Sequence, residues 1–227
     1  MTLNQITKAI YALYIINYFG FKIKQNKTQQ NQRKYRFKFS KSLLDSLSID
    51  VKVLNEEKLP KSGQFLLVSN HKSVLDPVVI ELALQKSDIF GHWIAKKELY
   101  NSFFFGLFTR NAGTILLDRE SKQMGHFFAD IKEVVKKGDS IFIFPEGTRN
   151  KTKNSLLEFQ DGAQLIALKN RLPILPLYIK TDAHKVLMDS LQNKEKHLTI
   201  EIEVGDIIDY KDRSEKLQQR YKKMFHL

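Results

Sequence analysis

His71 precedes Asp76 by five positions in Asn70-His71-Lys72-Ser73-Val74-Leu75-Asp76, directly after the apolar run Phe65 to Val68. A carboxylate within reach of an imidazole can fix its tautomer and raise its basicity, as a general base near neutral pH requires. Such a pair could take a proton from an alcohol, and no serine is needed if the substrate brings its own hydroxyl. Two later stretches carry anion chemistry. Arg119 follows Thr114 to Leu117 within Asp118-Arg119-Glu120, and Pro145-Glu146-Gly147-Thr148-Arg149 follows Ile141 to Phe144. The two guanidinium groups offer forks matched to a phosphate. Gly147 permits close backbone approach, and amides of its turn could donate to an anion. Taken singly, each feature also fits an ordinary turn or a surface ion pair. Their order, and their shared position after apolar runs, joins them into one candidate site.

Loops of this kind need a scaffold that gathers them. Ser48 to Leu54 alternates Ile49, Val51 and Val53 with polar residues, the pattern of a half-buried strand. Phe65 to Val68, Ile89 to Ala95, Gly113 to Leu117, Ile141 to Phe144, Ile174 to Ile179 and Leu198 to Val204 read as further strands. Between them, Leu75 to Leu84, Glu98 to Phe108 and Gly162 to Lys169 read as helices, the second carrying an exposed Phe103-Phe104-Phe105. The clearest helix places Met124, Phe127, Phe128, Ile131, Val134 and Val135 at steps of three and four before Gly138. A basic helix over Arg213 to Phe225 closes the chain. This alternation predicts an α/β fold, a mainly parallel sheet flanked by helices. Its ligand edge is the carboxyl end of the strands, where the three polar loops would converge.

The length, 227 residues, suits one α/β domain with a short appendage. Cysteine is absent, which excludes disulfides, a thiolate nucleophile and Cys-ligated zinc. The net charge is +12, and nine of the basic residues fall before Asp45, the first acidic one. Such an arm could bind nucleic acid, anionic lipid or an acidic protein. Beside it lies Ala9 to Phe21, apolar on nearly all sides and rich in tyrosine. Thirteen helical residues span about 20 Å, short of the roughly 30 Å hydrocarbon core. The segment therefore reads either as an interfacial helix backed by lysines or as a core helix followed by a solvated basic loop. The Gln/Asn-rich patch from Gln25 to Arg33 reads as a hinge. On this basis residues 1–38 form the N-terminal appendage and 39–227 the globular body.

Four stretches taken together carry a family resemblance. Asn-His-Lys-Ser-Val-Leu-Asp, Gly-Thr-Ile-Leu-Leu-Asp-Arg, Phe-Pro-Glu-Gly-Thr-Arg and Leu-Pro-Ile-Leu-Pro-Leu, in that order, resemble the four blocks of the glycerolipid acyltransferase family. Within it, the chain looks like the bacterial lysophosphatidic acid acyltransferases of PlsC type. The match runs from about Gly63 to Ile179. The resemblance implies a glycerol-3-phosphate acyltransferase-like fold in which His71 is the general base and Asp76 orients it. It implies that Arg119, with Glu146, Gly147, Thr148 and Arg149, binds the acceptor's phosphate. Lys96, in Ala-Lys-Lys-Glu-Leu, resembles the family's basic residue after a strand, and Leu172 to Leu177 would lie near the acyl chain. The donor would be acyl-CoA or acyl carrier protein (acyl-ACP), with no metal or redox cofactor, and the acceptor a lysophospholipid.

The same resemblance favours membrane binding by the N-terminal segment. The expected location is the cytoplasmic face of the inner (cell) membrane, peripheral or monotopic on an anionic surface, with no nucleic acid partner. Another lyso-acceptor (glycerol-3-phosphate, a lysophospholipid or a lyso-aminolipid) would need the same chemistry. A non-catalytic basic protein that binds lipid or nucleic acid has no need of the His71 and Asp76 pair. His184 also has an aspartate, Asp189, five positions on but lacks the downstream blocks. It reads as structural or surface, as do His92, His126, His197 and His226.

Overall fold

Where apolar residues alternate or run in short stretches, the chain forms strands, and the longer three- and four-step patterns form helices. The computed structural model describes residues 2–118, 124–192, 197–212 and 214–227. The strands are β1 (Ile49–Leu54), β2 (Leu66–Ser69), β3 (Gly91–Lys96), β4 (Ile115–Leu117), β5 (Ser140–Ile143), β6 (Ile174–Ile179) and β7 (Leu198–Val204). Among the described residues they form one sheet in the order β1-β7-β6-β2-β5-β3-β4. The five strands from β6 to β4 are parallel, while β7 pairs antiparallel with β6, and β1 parallel with β7. The sheet is therefore mostly parallel, with two reversed strands at one edge. Central β2 is buried along its whole length, as its unbroken apolar run requires. In β7, Ile200, Ile202 and Val204 face the core, while Glu201 and Glu203 alternate outward.

Helices cover both faces. One face packs α1 (Leu3–Gln25), α2 (Gln29–Ser46), α3 (Asp76–Ala83) and α7 (Ala183–Gln192) around Ile16, Phe19, Phe39, Leu44 and Phe142. The other packs α5 (Gly125–Lys136), α6 (Gly162–Asn170) and α8 (Leu217–Met224) around Phe127, Ile131, Ile166 and Tyr221. The predicted periodicity of α5 is met by burial of Phe127 and Ile131, with Phe128, Val134 and Val135 lying against the same core.

Three local expectations change. Glu98 to Phe108 is not one helix: a 3-10 turn at Lys97–Asn101 precedes α4 (Gly106–Asn111). Ser102 begins the new turn, accepting from the Gly106 and Phe105 amides through its carbonyl and its hydroxyl. The break lets Phe104 and Phe105 turn into the core while Phe103 stays 88 % exposed. The patch from Gln25 to Arg33 is mostly helical. Only Asn26 to Thr28 separate α1 from α2, and the Thr28 hydroxyl caps α2 by accepting the Asn31 amide. Among the described residues the basic C-terminal helix spans Leu217–Met224, and Arg213, where it was expected to begin, lies outside them.

Helix α1 packs closely on α4: a Cβ at Gly20 would lie 3.1 Å from the Phe108 backbone nitrogen. Its inner face buries Ile15, Ile16, Phe19 and Ile23, while Ile6, Ile10, Tyr14 and Tyr18 line the outer face at four-residue steps. Among the described residues, no helix is long and apolar enough to cross a membrane. The division after residue 38 falls inside α2, whose Arg36, Phe39 and Leu44 are buried against the body.

Candidate active site

Strand β2 leaves the sheet through Asn70, a buried residue that finishes the job of the strand with its side chain. Its carbonyl oxygen accepts the Ile179 amide at 2.8 Å, and its nitrogen donates to the Ile179 carbonyl at 3.0 Å. From α8, the Tyr221 hydroxyl donates to the Leu177 carbonyl and accepts the Asn70 amide. Burial pushes the Tyr221 phenol well above its ordinary pKa, so it stays a proton donor. The exit from β2 is thereby tied to the end of β6.

The next residue is His71, whose Nδ1 lies 2.8 Å from Asp76 Oδ2. The same oxygen accepts the Lys72 and Ser73 amides at 2.6 and 2.7 Å, which wraps the loop around the carboxylate. Asp76 opens α3 and is buried; its Oδ1 is without a hydrogen-bond partner among the described residues. An ionised carboxylate can only accept, so the neutral imidazole carries its hydrogen on Nδ1 and leaves a lone pair on Nε2. The His71 side chain is 18 % exposed against 1 % for Asp76, so the imidazole is reachable and its partner is not.

The loop after β5 is clasped to this one. Glu146 Oε1 accepts the His71 amide at 2.8 Å, and Oε2 accepts the Leu157 amide at 2.7 Å. In return, the Asn150 amide donates to the His71 carbonyl at 2.6 Å. Burial raises the Glu146 carboxyl above its ordinary range, and the two amide bonds work against that shift. The turn closes with Gly147 at φ +69°, where a side chain would be strained, and the Gly147 amide donates to the Phe144 carbonyl. Thr148 and Arg149 follow on the exposed side of the turn.

The sequence-predicted residues thus separate into groups. Asp76 and Glu146 are each bonded to His71, at its ring and at its backbone amide, with Gly147, Thr148 and Arg149 continuing the Glu146 loop. Glu146 was expected at an acceptor's phosphate, but it lies beneath the loop with both oxygens occupied by backbone amides. Lys96 ends β3 at the same carboxyl edge, exposed and in register with Leu117 of β4. Arg119, two residues beyond Leu117, lies outside the described residues. His92, read as structural, lies between the Gly113 carbonyl at 2.6 Å and the Asp139 carboxylate at 2.9 Å.

Sequence reading passed over two groups. One is the bracket formed by Asn70 and Tyr221; the position of Asn70 beside His71 was the available signal. The other is Phe144, assigned to the strand, which lies just past the end of β5. Its ring stacks on His71 at 4.0 Å between centroids and 9° between planes.

The mostly parallel α/β sheet thus carries a histidine–aspartate pair and a basic, glycine-containing turn at its carboxyl edge. Residues 50–180 match the family model described as Acyltransferase, and the chain belongs to that family. A 1-acyl-sn-glycerol-3-phosphate acyltransferase of Helicobacter pylori is 33 % identical over 76 % of this chain and 76 % of its own length. Enzymes of the same name from Escherichia coli and Bacillus subtilis are 32 % and 31 % identical, each over 58 % of this chain. The chain covers 53 % and 63 % of those two proteins. The crystal structure of the 1-acyl-sn-glycerophosphate (LPA) acyltransferase PlsC from Thermotoga maritima superposes with a TM-score of 0.72 at 25 % identity. That superposition covers 98 % of this chain and 92 % of the other.

Proposed function

We propose that the chain transfers a fatty acyl group from a thioester to the free hydroxyl of lysophosphatidic acid, giving phosphatidic acid for phospholipid synthesis. The observation that carries this reading is the contact of His71 Nδ1 with buried Asp76 while Nε2 is left for substrate, in a chain of the acyltransferase family. The names of the relatives support lysophosphatidic acid as acceptor.

The geometry supports the following chemistry. His71 Nε2 takes the hydroxyl proton as that oxygen attacks the thioester carbonyl. The C–S bond then breaks and the imidazolium returns its proton to the leaving thiolate, of coenzyme A or of acyl carrier protein. Asp76 stabilises the imidazolium and holds the ring's tautomer. Arg149, with Arg119 and Lys96, binds the phosphate of the acceptor; Gly147 and Thr148 shape the turn that presents Arg149. Glu146 braces the His71 backbone, a role its two amide bonds support better than contact with an anion. No metal or redox group takes part.

The acceptor comes from a bilayer, and α1 offers a surface for it. Ile10 and Tyr14 are 62 % and 63 % exposed on the outer stripe, and Lys22, Lys24 and Lys27 follow. Apolar side chains in the headgroup region with lysines on anionic lipid give peripheral or monotopic attachment at the cytoplasmic face.

The deciding experiment supplies purified protein with acyl-CoA or acyl-ACP and a panel of lyso-acceptors, beside a His71→Ala variant. Phosphatidic acid should form with the native chain and fall by about 10²–10⁴-fold in the variant. Equal turnover by both would remove His71 as base. Ile10→Ser with Tyr14→Ser should weaken sedimentation with anionic vesicles, and unchanged binding would exclude α1 as the contact.

A further inference from the structure

We propose that Trp93, fixed by Glu81 and Arg36, is a positioning residue for His71 that acts through the ring of Phe144. The inference rests on His71 as the base. Asp76 holds the imidazole at one atom, Nδ1. One hydrogen bond sets a distance but leaves the ring able to tilt and carry Nε2 off line. The ring of Phe144, nearly parallel to it at 4.0 Å, blocks one face. Phe144 is a hydrocarbon, however, and has no directional contact of its own.

Trp93 supplies the missing direction. Its ring lies 4.9 Å from that of Phe144 at 22°, so that Trp93, Phe144 and His71 form one column of three rings. Unlike Phe144, the indole has a polar handle, and Nε1 donates to Glu81 Oε1 at 3.0 Å. Glu81 on α3 is held in turn by Arg36 on α2, whose Nε donates to the same oxygen at 3.1 Å. A second Arg36 nitrogen donates at 2.6 Å to the carbonyl of Gly91, which starts the strand that carries Trp93.

The ion pair is the telling part. The Arg36 and Glu81 side chains are 3 % and 13 % exposed, with the Phe90 ring 5.0 Å from the guanidinium. Apolar side chains fill such a space at least as well, because desolvation offsets much of a buried pair's attraction. What a carboxylate adds here is a fixed acceptor for the indole and hence a fixed plane for the column. Helix α2 is thereby connected to the reacting nitrogen through Glu81, Trp93 and Phe144. A misplacement of about 1 Å at reacting atoms costs on the order of 10²-fold in rate, so a small tilt of His71 has a large effect.

The test compares Trp93→Leu, Trp93→Phe, Glu81→Gln and Phe144→Leu with the native chain, with His71→Ala as control. Trp93→Leu and Phe144→Leu should lower kcat by about tenfold or more while the KM values stay within about twofold. Trp93→Phe, which keeps a flat ring, should restore most of the rate, and Glu81→Gln should fall between. In NMR spectra of the folded variants, the His71 ring protons should lose the ring-current shift of the stack in Phe144→Leu and move in Trp93→Leu. Native kcat and unmoved His71 resonances in Trp93→Leu, with His71→Ala inactive, would overturn the positioning role. A rate loss that only follows the folded fraction, with those resonances in place, would overturn it too. Full turnover in His71→Ala would instead overturn the base, and the column's role with it.

Discussion

The side chain of Asn70 pairs with both backbone groups of Ile179, 109 residues further along the chain. Two hydrogen bonds between a loop residue and the last residue of β6 set where β2 ends, and so where His71 begins. Asn70→Ala would leave a buried N–H and a buried C=O at Ile179 without partners. The expected loss is about 1–3 kcal/mol for each orphaned group, read as a lower urea midpoint. A midpoint equal to that of the native chain would mean that water or a shifted strand replaces Asn70.

Tyr221→Phe tests the other half of that bracket with almost no change in shape. The ring stays buried among Phe159, Tyr178 and Phe225, and only the hydroxyl's two bonds disappear. Stability should fall by about 1–3 kcal/mol with kcat changed far less. A larger effect on kcat than on stability would place Tyr221 in the chemistry.

Asp76→Asn preserves size but removes a buried negative charge. The carboxamide oxygen would stay where Oδ2 accepts the Lys72 and Ser73 amides and the Nδ1 hydrogen, so the tautomer is kept while the negative charge that stabilises the imidazolium is lost. The predicted outcome is a fall in kcat on the order of 10²–10⁴-fold with little change in KM. Steady-state kinetics of the folded variant decide this. Near-native kcat would show that the negative charge of Asp76 takes no part in the chemistry.

Arg149 is exposed at the end of the clasped turn, free of the buried contacts that hold Glu146. Arg149→Ala should raise KM for the phosphate-bearing acceptor by about tenfold or more, since charge-assisted hydrogen bonds contribute about 1.5–3 kcal/mol. Thioester KM should move less. If only thioester KM rises, Arg149 belongs to the donor site.

Glu146 makes a pH prediction with a definite sign. Burial raises its folded pKa above the ordinary 4.5, so between those two values the folded chain binds more protons than the unfolded one. The stability that Glu146 contributes is fully present below 4.5 and is lost as pH rises through the raised folded value. Urea unfolding of the native chain and Glu146→Gln over this range should show a difference that declines with rising pH. A difference that grows with pH would mean that the amide bonds from His71 and Leu157 outweigh burial.

Much of the scaffold and of the site's chemistry was legible in the residues. Alternation in Leu198 to Val204, the three- and four-step pattern of α5 and the apolar run of β2 are local signals. Strand and helix periods differ, and each pattern satisfies only one of them. The turn after β5 was legible for a similar reason, because Gly147 adopts a positive φ that few other residues tolerate. Local signals failed where burial decided the outcome. The patch from Gln25 to Arg33 reads as polar linker, yet α2 forms there because Thr28 caps it and its later residues reach the core.

The chain's own order of residues determined that a histidine, an aspartate and a basic turn would each follow a strand. It also determined that an apolar, tyrosine-rich segment would precede them. Tertiary structure alone decided which way each side chain faces. It turned Glu146 inward to the His71 amide, 75 residues away, left Arg149 outside, and stacked Phe144 between Trp93 and His71. It also reversed β1 and β7 against the rest of the sheet. The physical reason is range. Periodicity and turn chemistry act over a few residues, whereas the burial of a carboxylate or the plane of a ring is set by segments that meet only when the sheet closes.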